Sequence, residues 1–309
     1  MPGCENATKF YRTSVVEYLL GHNMFWRRIT MLALFLFPIA YVGYIGSVAV
    51  HEVLGHGGMA LLLGGQFTGF VLTWDGMGYA WMSPAPGAPL SHLILILAAG
   101  PGATTMVGLA LLVAASLARR SIPQRMACLM FSLFCLLEGS PYLFWNAYQP
   151  APPGDIGRIL SLLSGGGSTD TSCWRWSFMA VGGFISLTAT IGLLAFLFQA
   201  IEESLENAER LRGVRRAMVL IVFLAIPGSI AWFLFDWNQL APGIGPLPCL
   251  VGSASVVLTA AGLYFVSLTP RPSPSLRTVS LRHLLASWGA VVVMIAVMLL
   301  WLTDGLSWT

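Results

Sequence analysis

The chain has 309 residues, of which 56% are hydrophobic and only 9% charged, with a mean hydropathy of +0.76. That composition excludes a soluble globular domain, and a net charge of only +3 gives no reason to expect a nucleic-acid partner. Repeated apolar runs of about twenty residues point instead to membrane spans in a lipid bilayer. The five cysteines form no metal-type CxxC pair, and Cys128 and Cys135 read as small core residues inside a span.

Residues 1–29 form a cytoplasmic or interfacial N-terminal segment with no cleavable signal-peptide pattern. Within it, Val15, Val16, Leu19 and Leu20 are spaced as one helical face, interrupted by Arg12, Glu17 and His22, which predicts a helix lying along the membrane interface. The first span is expected from about residue 30 to residue 63, longer than a bilayer needs, so it must tilt or break at its glycines. Its second half carries His51-Glu52-Val53-Leu54-Gly55-His56, three ionisable side chains at membrane depth, where such groups are costly and usually functional.

The stretch is close to the metalloprotease signature of two histidines on one helix with a glutamate beside the first, but the histidines are five residues apart rather than four. On a regular helix, residues five apart diverge by about 140°. A π-bulge would bring His51 and His56 nearly into line, and Gly55, Gly57 and Gly58 make such a distortion cheap. Two arrangements are open. In one, His51 and His56 bind a metal and Glu52 is the general base. In the other, Glu52 and His56, which share a face without distortion, are the regular pair and His51 supports them. A hydrogen-bonded polar knot without metal is the structural alternative.

Residues 64–90 mix aromatic and β-branched residues with glycines and then Pro84, Pro86 and Pro89, which predicts short strands or a re-entrant loop beside the polar cluster. The second span is expected over about 91–118, opened by His92 and containing Ala99-Gly100-Pro101-Gly102, a kink and close-approach signal. His92 is a candidate for the same site or an ordinary interface residue. The third span, about 126–148, carries Glu138 at its middle, a functional candidate by its depth, and Asn146 near its end. Gln149 to Asp155 is proline-rich and extended, and 156–173 reads mostly as loop. A fourth span is expected over about 174–200, then a charged surface helix over 202–216, and three further spans over about 217–235, 249–268 and 284–302. The fold class is therefore an all-α polytopic membrane protein of about seven transmembrane helices with a short membrane-associated β or re-entrant loop. Residues 30–160 make a three-span core and 161–309 a four-span C-terminal region.

Counting positive charges orients the spans. Lys9 and thirteen arginines, from Arg12 to Arg282, fall on the side of the N-terminus; only Arg158 and Arg175 fall on the other. The excess predicts a cytoplasmic N-terminus and an exported C-terminus, in a bacterial inner (plasma) membrane. His51, His56, His92, Asn146 and Asp155 then all fall towards the outer half.

Three segments together resemble the site-2 protease family of intramembrane zinc metalloproteases (M50-like). HEVLGH at 51–56 followed by Gly64-Gly65 is similar to the family's zinc-binding helix and the turn beyond it. Leu97-Ala98-Ala99-Gly100-Pro101 is similar to the Ala-Gly-Pro stretch of its next core helix. Asn146 through Pro150, Pro152, Pro153 and Asp155 is similar to its asparagine–proline–aspartate segment. The resemblance covers about 35–160. It implies a Zn2+ cofactor held by His51, His56 and Asp155, with Glu52 as general base, Asn146 helping to hold the substrate strand and the 64–83 loop as the sheet that guides it. Two readings of Glu138 are open: it orients a histidine from behind, or it is a buried partner with no part in the site. The chain also departs from the family: the histidines carry one extra residue, Gly-Asp-Ile-Gly stands where the family has Asp-Gly, and the arginines put the site towards the outside. The expected activity is hydrolysis of peptide bonds in membrane-protein or transmembrane-peptide substrates by zinc-activated water. The alternative is a non-proteolytic protein on the same scaffold: a substrate-binding pseudoprotease, a metal-dependent lipid enzyme or a transporter.

Overall fold

The structure, a computed structural model, describes residues 30–31, 34–73, 78–117, 122–148, 154–164, 172–185, 280–302 and 305–307. The expected interfacial helix at 11–26, the charged helix at 202–216, most of the fourth span and all of the fifth and sixth lie outside these residues.

Helix α1, Leu34–Leu62, is followed by strands β1, Gln66–Leu72, and β2, Gly78–Ser83. Helices α2, Leu90–Leu117, and α3, Ile122–Tyr148, come next, then the short α4, Gly154–Leu163, and a helical segment at 172–185, here α5. Near the C-terminus α6, Leu281–Val297, runs into a π-helical turn, Met298–Leu302, and a two-residue strand β3, Leu306–Ser307. Among the described residues three helices are long and apolar enough to cross a membrane: Leu34–Leu62, Leu90–Leu117 and Leu281–Leu300. They coincide with the first, second and seventh expected spans. Helix α3 occupies the third and is as long as they are, with Arg125, Glu138 and Asn146 in its sequence.

The loop after α1 is a β-structure rather than an irregular re-entrant segment. β1 and β2 pair antiparallel from Gln66↔Ser83 to Leu72↔Gly78, with a bulge between Phe67 and Gly69. β3 adds to the other side of β1, giving the order β2-β1-β3. Because side chains alternate across a strand, Phe70 and Leu72 with Ala80 turn inward, while Tyr79 and Trp81 stay exposed on the outer face.

Two apolar clusters hold these parts together. Ile45 and Val48 of α1, Leu72 of β1 and Met298 of the C-terminal π turn form one, so the sheet and the C-terminal helix both rest on the helix that bears the histidines. The other joins Leu97 of α2 and Ala147 of α3 to Ile156, Ile159 and Leu160 of α4. Those three α4 residues fall at i, i+3 and i+4, one face of a helix, and all three are buried. The expectation of loop over 156–173 is thus corrected: 156–163 is an amphipathic helix seated on α2 and α3, and 172–173 already begins α5.

Candidate metal centre

The HEVLGH stretch is where the helix changes its winding. Val50–Gly57 is π-helical, with α-helix resuming at Gly58–Leu62. The wider π turn, bonded i→i+5, brings residues five apart onto one side. His51 and His56 accordingly meet with ring centroids 4.8 Å apart, edge to face at 77°. Both are buried, at 3% and 2% exposure. An unbroken α-helix would have separated them.

What receives the widened turn is α2. A β-carbon on Gly55 would lie 2.5 Å from the Gly100 α-carbon, and one on Gly100 would lie 2.5 Å from His51 Nε2 and 2.6 Å from His56 Nε2. These contacts are closer than any side chain permits, so the pair Gly55/Gly100 lets the two helices touch backbone to backbone beneath the imidazoles. Of the two readings of 99–102, kink and close approach, the structure uses the close approach, with Pro101 carried inside a continuous helix. The Pro101 carbonyl accepts hydrogen bonds from the hydroxyls of Thr104 and Thr105, at 3.1 and 2.8 Å.

A second feature that the sequence did not single out is the carbonyl of Ile96. His56 Nδ1 lies 2.8 Å from it. A carbonyl only accepts, so Nδ1 carries the proton, which fixes the ring and directs Nε2 into the site.

Asp155 arrives from α4, on its first turn. Gly154 before it has φ +62°, a left-handed turn that leads the chain into the helix. The Asp155 Oδ2 atom lies 3.2 Å from His51 Nε2 and 3.1 Å from His56 Nε2. Burial alone would raise the carboxyl's pKa. Hydrogen bonds from His51 and His56, and their positive charge when protonated, outweigh it and hold Asp155 below the usual carboxylate range.

Three atoms bearing lone pairs therefore converge on one point, and something positive, protons or a metal ion, has to lie between them. The donor set fits zinc. Two imidazole nitrogens and a carboxylate oxygen are zinc ligands, and donors held tetrahedrally by bonds of about 2.0–2.1 Å stand about 3.3 Å apart. All three donor atoms lie within 4.8 Å of one another, and they are the single such group among the described residues.

Glu52 is next to this group and not in it. It is half-buried, and the start of β2 closes over it: a β-carbon at Gly78 would fall 2.9 Å from Glu52 Cγ. Glu138 of α3 lies within electrostatic reach of His51, Glu52 and Asp155. His92, one turn before Ile96 on α2, is not among the converging donors, and its Nδ1 is buried with no hydrogen-bond partner. Asn146 lies on α3 near its C-terminal end; only its backbone is described.

Residues 16–145 match the model of a family described as Peptidase M50B-like. The matched stretch contains His51, Glu52, His56 and Gly100 and ends ten residues before Asp155, which the fold then adds. No curated protein and no solved structure matches the chain.

Proposed function

We propose that this chain, a member of the site-2 protease family by its M50B-like core, is an intramembrane zinc metallopeptidase that cleaves membrane-spanning substrates. The observation that carries the reading is the convergence of His51, His56 and Asp155 on one point with Glu52 beside it and outside the donor set. His51, His56 and Asp155 would hold the ion. When bound, zinc supplies a Lewis acid that polarises a carbonyl and makes water more acidic.

The chain's own residues do the rest. Glu52 takes a proton from the attacking water and delivers it to the leaving nitrogen, so the bond to nitrogen breaks as the carboxyl product forms. Its position at the edge of the donor group suits a base that is free to move a proton. The Ile96 carbonyl holds the His56 ring in the tautomer that leaves Nε2 available. Gly55 and Gly100 keep the imidazoles pressed against α2, which fixes their aim.

A peptide bond in a lipid-embedded helix is shielded by its own hydrogen bonds, so the substrate must unwind before Glu52 can act on it. The sheet offers a place for the unwound strand, since β2 has a neighbour on its β1 side and begins beside Glu52. Asn146 would hold that strand from α3. The arginine distribution supports an N-terminus on the cytoplasmic side of a bacterial inner membrane and a site in the outer half of the bilayer.

The test is reconstitution of the purified protein with a labelled single-span substrate. Cleavage lost on chelation and restored by zinc supports the reading. A protein that binds zinc and substrate yet cleaves nothing would be the substrate-binding relative instead.

A further inference from the structure

The C-terminal strand joins the sheet at a glycine of β1. Gly69 of β1 lies between Trp81 of β2 on one side and Ser307 of β3 on the other. Residue 69 has no side chain to fill the outer face there. The Trp81 ring crosses that gap and reaches the C-terminal segment: a β-carbon on Gly305 would fall 2.5 Å from Trp81 Cη2 and 3.0 Å from Cζ3. An aromatic ring lying over a cross-strand glycine is a known way to fix strand register. Gly305 itself has φ +81°, a left-handed conformation in which a side chain would be strained. Shape and backbone both require glycine at 305.

The same segment is anchored on α1. Trp288 donates its indole N–H to the Leu34 carbonyl at 3.0 Å and stacks on Phe37. Ten residues on, Met298 is fully buried beside Ile45, Val48 and Leu72. Helix α6 thus runs alongside α1 in the same direction, and the π turn Met298–Leu302 leads the chain into β3. Val48 also meets the start of β2, as Glu52 does.

We propose that Gly305–Ser307 and Trp81 form a latch that positions the β1–β2 hairpin over Glu52. By closing the outer edge of β1 it leaves the β2 edge, which has no strand neighbour among the described residues, for an incoming strand beside Glu52. The latch sets where a substrate strand joins and takes no part in the bond breaking. The inference rests on the proposed use of the sheet as a substrate platform.

The experiment compares the full chain with a truncation after Leu302 and with Gly305→Val, the second keeping the chain at full length. Three quantities are read on each: zinc content, amide hydrogen exchange over 66–83, and the kinetics of cleavage of a single-span peptide. The latch predicts unchanged zinc in both variants. It predicts exchange at least tenfold faster at Gly69 and Phe70, spreading to β2, and a KM raised about tenfold with kcat nearly kept. Unchanged exchange, or faster exchange confined to β1, would overturn it. Faster cleavage on truncation would also overturn it, since β3 would then be blocking the sheet. If the full chain cleaves nothing, the peptidase reading fails, and the spread of exchange into β2 still decides whether the latch holds the hairpin.

Discussion

A methyl group at residue 100 would fall between the two imidazoles, and this makes Gly100 as sensitive a position as the proposed ligands. Gly100→Ala should reduce bound zinc at least tenfold while leaving the helices formed, measured as zinc per chain beside circular dichroism; full zinc retention would show that the site relaxes around the added carbon. Glu138→Gln should keep its zinc, because Glu138 lies near the donor group without belonging to it. Loss of metal in that variant would make Glu138 a ligand. At this scale much was legible. If His51 and His56 are to share one site, their five-residue spacing calls for a π turn or a break, and the structure has a π turn. What the local sequence does not carry is the partner surface: that the glycine at 100 faces imidazoles, or that the Ile96 carbonyl meets Nδ1, depends on how two helices pack.

Among the elements, α4 shows how a carboxylate is brought to the histidines from about a hundred residues away. Its buried face of Ile156, Ile159 and Leu160 seats it on α2 and α3, and its first turn then presents Asp155. Ile159→Ala should cost about 2–5 kcal/mol of local packing and weaken zinc binding without touching a ligand. Titration with a competing zinc chelator would measure it, and unchanged affinity would mean that Asp155 is held by its own contacts alone. The i, i+3, i+4 spacing of α4 is present in the sequence. Prolines 150, 152 and 153 and the glycines at 165–167 enclose it, so turn signals outweighed a helical face only ten residues long. The aromatic and β-branched residues between glycines left strands and a re-entrant loop both open, and pairing of β1 with β2 decides for strands. β3 was not legible, because a two-residue strand has no periodicity to read and is defined only by pairing with β1.

For the whole molecule, the described helices agree on sidedness. α1 ends, α2 begins and α3 ends at the level of the site, and α6 runs parallel to α1 so that β3 reaches the same side as the hairpin. Single cysteines placed at 122 and at the exposed position 161 in a chain freed of its native cysteines should label from outside at 161 and not at 122; the reverse would invert the topology read from the arginines. The sequence carried the membrane class and the charge bias because both are sums over many residues. The contact between the two ends of the chain was not legible, since Trp288 and Leu34 are joined only by the fold.

The proposed mechanism has Glu52 moving protons at a site whose ligands are other residues, and a comparison of three proteins separates these roles. Zinc content and cleavage of a membrane-spanning substrate are measured together on the unaltered protein, Glu52→Gln and His56→Ala. The amide keeps the size of Glu52 and cannot accept a proton, so Glu52→Gln should retain zinc while cleavage falls by about 10²–10⁴-fold. His56→Ala should lose both. A Glu52→Gln protein that cleaves as well as the unaltered one, or that loses zinc as completely as His56→Ala, would show that Glu52 is not a base standing outside the ligand set.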